Sequence, residues 1–156
     1  MKSEADIIVL SANPSLLAGS GISGAIHKAA GKELELAAKA LGPIKAGEAV
    51  ITLAFNLSAK YLVHTVCPRY IDGQRDEREL LAEAYRSALN FYDEVPNERS
   101  ISFVSMGTGV YRWPLELAAE IAIKELALSK FEETTMCVID EATRTIYQRA
   151  CAKLEI

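Results

Sequence analysis

Asp6–Gly31 reads "DIIVLSANPSLLAGSGISGAIHKAAG". Ile7–Leu10 is an unbroken apolar run between polar neighbours, the pattern of a strand buried on both faces. Ser11–Ser15 is a polar turn. Gly19, Ser20 and Gly21 then supply the small residues that let a backbone bend tightly or approach a ligand closely. Ile22–Gly31 has the composition of a short helix. Strand, small-residue loop and helix in this order predict one half of a parallel α/β layer. In such layers ligands lie beyond the carboxyl ends of the strands. A helix start facing the loop favours an anion through its free N–H groups and dipole.

The rest of the chain repeats the alternation. Lys32–Leu41 reads as a second helix, separated from the first by Gly31. "EAVITLAF" (Glu48–Phe55) and "KYLVHTV" (Lys60–Val66) are β-branched runs with a short connection, hence two adjacent strands. Between Asp76 and Tyr92 the apolar positions Leu81, Ala84, Tyr85, Ala88, Leu89 and Tyr92 fall at helical spacing. "SISFVSM" (Ser100–Met106) is another buried strand, and the loop Gly107–Trp113 after it is again rich in small residues. Pro114 suits the first residue of a helix, whose stripe is Leu115, Ala118, Ala119, Ala122 and Leu126. "TMCVID" (Thr135–Asp140) reads as the last strand, before a helix carrying Ile146, Tyr147, Ala150, Cys151 and Leu154. The expected fold is α/β, a three-layer α/β/α sandwich around a mixed, mostly parallel sheet. Two loops, Ser11–Gly21 and Ser105–Tyr111, would cradle a phosphate or diphosphate.

Composition narrows the function. The chain has 156 residues, half of them hydrophobic, enough for one domain with a real core. A net charge of −4 argues against nucleic acid or an anionic membrane as the general partner. No apolar run is long enough to span a bilayer, and the N-terminus lacks the form of a secretory signal. Cys67, Cys137 and Cys151 lie in or after apolar runs without metal spacing, so buried reduced thiols and a cytoplasmic location are expected. Two histidines and no Cys–His cluster give no metal site, and no cofactor is expected.

Four blocks together resemble the macro domain family: Ser11–Gly31, Ala46–Tyr70, Met106–Leu126 and Cys137–Ala150. They stand in that family's order and spacing over nearly the whole chain. The resemblance implies a single macro-like domain over residues 1–156, with a mixed sheet between helices and a cleft that takes ADP-ribose or an ADP-ribosylated protein. Some members hydrolyse ADP-ribosyl esters or deacetylate O-acetyl-ADP-ribose, and others only bind. It further implies that Asn13 bonds the distal ribose. Gly19, Ser20, Gly21 and Ile22 would line the diphosphate and distal ribose, with Gly107, Thr108, Gly109 and Val110 as the second phosphate loop. Tyr111 would pack on the distal ribose. Backbone donors can hold a diphosphate without buried cations, which suits an acidic chain.

Several positions depart from the family pattern. Leu10 stands where an asparagine is usual, and Ser23 replaces the aspartate of hydrolytic members. Ile139 occupies a position that often stacks on adenine. Asp6 aligns with the family's second region, so its usual leading strand, with the aspartate that reads adenine, would lie before Met1. Weak adenine recognition is therefore expected. Ser23 and Asn13 are the weak catalytic candidates. Ser23 and His27, at i and i+4, could form an esterase dyad, but helix-face packing explains His27 better. His64, in "YLVHTV", reads as a satisfied core histidine, and "DEREL" (Asp76–Leu80) as a solvated helix face. Trp113 beside Arg112 suits either a pocket rim or the surface, and Arg69 is a weak phosphate candidate. Binding is the leading expectation. A hydrolase using the same cleft and an interaction scaffold that has lost the nucleotide are the alternatives.

Overall fold

A computed structural model describes residues 5–16, 21–95, 97–104, 112–138 and 140–154. Of Gly21 and Ile22 only the backbone is described. The elements run β1 (Ile7–Ser11), α1 (Gly21–Ala30), α2 (Lys32–Leu41), β2 (Ala49–Leu53), β3 (Tyr61–Thr65), α3 (Glu77–Leu89), β4 (Ser100–Val104), α4 (Leu115–Leu126), β5 (Glu133–Cys137) and α5 (Glu141–Leu154). A 3₁₀ turn, Asn90–Asp93, extends α3.

The five strands form one mixed sheet in the order β2-β3-β1-β4-β5. Only β2 is antiparallel, paired with β3 from Ala49↔Thr65 to Leu53↔Tyr61. β1 is the central strand, running parallel to β3 and to β4. Its side chains alternate between two separate cores, as the unbroken apolar run requires. Ile7 and Val9 pack with α3, α4 and α5, while Ile8 and Leu10 pack with α1 and α2. Helices thus cover both faces, and the three-layer expectation holds.

Asp6 closes the amino end of this arrangement. Its carboxylate accepts the Arg99 and Ser100 N–H groups at 2.8 and 3.1 Å. The Arg99 amide is the largest of the influences that hold its pKa below the usual carboxylate range. Gly31, at φ +100°, makes the break between α1 and α2 that its sequence position implies.

Two of the boundary shifts have a clear physical cause. Pro114 is the N-cap of α4 with extended ψ of 127°, and Leu115 is the first helical residue. β5 spans Glu133–Cys137 instead of Thr135–Asp140, because parallel pairing with β4 sets its limits from Ser100↔Glu133 to Val104↔Cys137. Polar Glu133 and Thr134 join the strand for their backbone hydrogen bonds, a contribution that apolar patterning does not register.

Candidate functional site

The carboxyl ends of the four parallel strands lie along one edge of the sheet. From β1 the chain passes to α1 on one face. From the neighbouring β4 it passes to α4 on the other. Adjacent parallel strands whose connections leave in opposite directions open a crevice between them, the switch point of an α/β sheet. The two small-residue loops singled out in the sequence are the ones that leave β1 and β4. Gly19, Ser20, Gly107, Thr108, Gly109, Val110, Tyr111 and Ile139 lie outside the described residues. Gly21 and Ile22 form the first turn of α1, so the glycine loop runs directly into a helix start.

Asn13 sits two residues beyond β1 on a turn tied down from several sides. The Ala12 N–H donates to the Thr65 carbonyl at 2.8 Å, and the Leu16 N–H to the Asn13 carbonyl at 3.0 Å. The Ile44 N–H donates to the Pro14 carbonyl at 2.9 Å. Asn13 is half-buried, and its Oδ1 accepts the Ser15 hydroxyl at 2.5 Å. Leu16 holds φ +61°, a left-handed conformation that costs a residue with a Cβ on the order of 1–3 kcal/mol. Its fully buried side chain anchors the turn against the α1–α2 core. Arg112, between the second loop and α4, is also left-handed, at φ +60°.

Around the crevice the third parallel strand contributes a buttress. After β3 the chain continues through Val66, Cys67 and Pro68, all buried. Trp113 is buried too, and its Nε1–H donates to the Pro68 carbonyl at 2.8 Å. Its ring lies 5.1 Å from that of Tyr70. Trp113 is therefore a packing residue joining the loop after β3 to the start of α4, which excludes the surface location. Glu77 also departs from expectation. Only 3% exposed, it is not part of a solvated face. Its carboxylate accepts backbone N–H groups from Ile71, Asp72 and Arg75, and so gathers the turn Ile71–Asp76 around itself. Burial acts to raise its pKa, but the backbone donors outweigh that and hold it down at about 2. Neither role was readable from the sequence, because each depends on a partner brought in by the fold.

The nucleophile candidates fare poorly. Ser23 Oγ and His27 Nδ1 are buried without a hydrogen-bond partner among the described residues, so the two side chains form no dyad. His27 packs beneath α1 with its ring 6.0 Å from that of His64. His64 is a core residue, as expected, but only half satisfied. Its Nε2 meets Thr52 Oγ1 at 3.0 Å, while Nδ1 has no hydrogen-bond partner among the described residues. Burial lowers the pKa of both imidazoles, that of His64 to about 4. Cys67 is buried against Ser11, and burial pushes its thiol up to about 12, which makes it inert. Cys137 is partly buried and Cys151 exposed, correcting the expectation of three buried thiols, though all three are free. Cys151 reaches solvent because the apolar stripe of α5 is carried by Tyr147 and Ala150.

Among the described residues no group of His, Cys, Asp and Glu could hold a metal ion. Nor is any helix long and apolar enough to cross a membrane. A hollow of about 200 Å³ lies between α4 and α5. It is lined by Glu120 and Lys153, already paired at 2.8 Å, and by none of the candidate residues.

Comparison with known proteins points the same way as the crevice. The family model described as "Macro domain" matches residues 9–122. An O-acetyl-ADP-ribose deacetylase of Klebsiella pneumoniae is 43% identical over 96% of this chain and 90% of its own length. The Oceanobacillus iheyensis macrodomain solved with ADP is 35% identical. It superposes with a TM-score of 0.92 over 99% of this chain and 86% of its own. A Trypanosoma brucei macrodomain in complex with ADP-ribose is 31% identical, with a TM-score of 0.83 over 94% of this chain and 63% of its own.

Proposed function

This chain belongs to the macro domain family, and from that premise we propose that it binds ADP-ribose, or a related nucleotide-diphosphate-ribose, free or attached to a protein. The observation that carries the proposal is the switch point between β1 and β4, with a small-residue loop leaving each strand. Backbone N–H groups of Gly19–Ile22 and of Gly107–Val110 hold the diphosphate, helped by the dipole of α1. Asn13 offers a donor and an acceptor to the distal ribose hydroxyls. Tyr111 packs on that ribose, and Ile139 gives adenine an apolar contact without a ring to stack on. Residues 1–156 act as one domain. The free thiols suit a reducing cytoplasm.

The test is a thermal shift with ADP-ribose. Ligand at 100 times its Kd stabilises the fold by about 2.7 kcal/mol, a readable rise in Tm. An unchanged Tm at millimolar ligand would favour the scaffold reading.

Hydrolysis in the same cleft is a second reading, favoured by the 43% identity to a protein named O-acetyl-ADP-ribose deacetylase. Against rapid turnover stands Ser23, whose hydroxyl holds no negative charge at neutral pH. The expectation is binding with slow or absent hydrolysis.

A further inference from the structure

Three exposed arginines lie on the segments that meet at the Tyr70–Trp113 pair. Arg69 precedes Tyr70, and Arg112 precedes Trp113. A Cβ placed on Gly73 would lie 3.1 Å from Tyr70 Oη and 3.6 Å from Arg78 Nη2, so Arg78 shares the turn that Tyr70 covers. The Trp113–Pro68 hydrogen bond brings these segments together at the carboxyl edge of the sheet. That edge is where the candidate crevice opens.

None of the three guanidinium groups takes part in an ion pair among the described residues. The acidic residues of the same turn are mostly committed. Glu77 is buried under backbone amides. Asp72 accepts from Arg75 at 3.2 Å and from the Gln74 N–H at 2.8 Å. Asp76 is the remaining exposed carboxylate there. The uncommitted charge of the patch is therefore positive, on a chain whose net charge is −4. Arg112 pays for its position with a left-handed backbone.

We propose that Arg69, Arg78 and Arg112 form a docking rim that holds an acidic peptide segment of an ADP-ribosylated target against the mouth of the crevice. The inference rests on the ADP-ribose reading and adds the partner's chemistry to it. Carboxylates flanking the modified residue would meet planar, always-charged donors that pair with them two bonds at a time. A protein segment fits better than a nucleic acid. Three charges make a short rim, whereas a polyanion needs an extended basic track and would meet repulsion over the rest of an acidic surface.

Calorimetry with three probes tests this at low and at high salt. They are free ADP-ribose, a non-hydrolysable ADP-ribosyl peptide with acidic flanks, and the same peptide with neutral flanks. Each is titrated into the intact protein and into the Arg69→Gln/Arg78→Gln/Arg112→Gln variant, with the fold checked by circular dichroism. The expected result is about tenfold tighter binding of the acidic peptide than of the neutral one at low salt. Salt and the triple substitution should both erase that preference, which is read as the ratio of the two peptides' affinities within each protein, so that any change shared with free ADP-ribose cancels. A single Arg69→Gln change, which leaves the backbone strain at Arg112 untouched, should erase part of it. Equal affinity for the two peptides, or a preference that survives in the variant, would overturn the docking rim. So would single-stranded RNA competing as well as the acidic peptide. Failure of free ADP-ribose to bind the unmodified protein is a separate outcome, which sinks the underlying reading together with the rim.

Discussion

The indole N–H of Trp113 donates to the carbonyl of Pro68 at 2.8 Å, with both residues buried. This one bond couples the segment after β3 to the segment that joins the β4 loop to α4. Trp113→Phe keeps the ring packing on Tyr70 but strands the Pro68 carbonyl. The expected cost is about 1–3 kcal/mol of stability, read from urea denaturation. ADP-ribose affinity should fall as well, since the proposed second phosphate loop, Gly107–Val110, ends three residues before Trp113. Unaltered stability would mean that the bond contributes nothing net.

Glu77 should behave as the organiser of its turn. Glu77→Gln keeps the shape but weakens the acceptor that gathers three backbone amides, so the denaturation midpoint should fall. The native protein should also show an acid-sensitive contribution from this group. Its folded pKa of about 2 lies below the ordinary carboxylate value. Stability from Glu77 is therefore complete above about 4.5 and lost as pH falls toward 2. An acid-unfolding profile of the variant that superposes on that of the unmodified protein would contradict this.

His64 titrates in the opposite chemical sense with the same sign in pH. It is buried neutral, and burial lowers its pKa from 6.5 to about 4, with nearby His27 adding to the effect. The unfolded chain therefore binds a proton that the folded one refuses. Stability is full above pH 6.5 and is lost as pH falls to about 4, by roughly 3 kcal/mol. His64→Gln should flatten that part of the stability profile. A slope that persists in the variant would assign it to other groups.

Ser23→Asp should raise hydrolysis of an ester-linked ADP-ribosyl substrate, since a positioned acid–base group typically contributes about 10²–10⁴-fold. Ser23→Ala should leave the rate where it was. Rapid turnover by the unmodified chain, undiminished in Ser23→Ala, would show that the family's catalytic assignment does not carry over to this position.

The contrast between β1 and Glu77 shows what the sequence could and could not reveal. Ile7–Leu10 names its own environment, because a short β-branched apolar run closed by a polar turn matches a strand with a core on each side. Gly31 likewise marks a break that its positive φ confirms. Glu77, in a charged run, carries no local sign that three amides of a preceding turn will converge on it. Trp113 needs Pro68, and β5 needs the register of β4. These are long-range pairings, and no periodicity encodes them. At the proposed site, the two small-residue loops stand out by their pattern after buried strands, and the role proposed for Asn13 comes from the resemblance alone. The arginine rim became visible only when the fold brought residues 69, 78 and 112 to one edge.

Asn13→Ala, titrated with ADP-ribose by calorimetry beside the unmodified protein, bears most directly on the proposal that the crevice between β1 and β4 holds the ligand. Asn13 sits on the fixed turn at the end of β1, and its amide should meet the distal ribose. The predicted result is saturable one-to-one binding by the unmodified chain, weakened by roughly 1–3 kcal/mol in a variant that is still folded. Undiminished affinity in a folded Asn13→Ala protein would contradict the account.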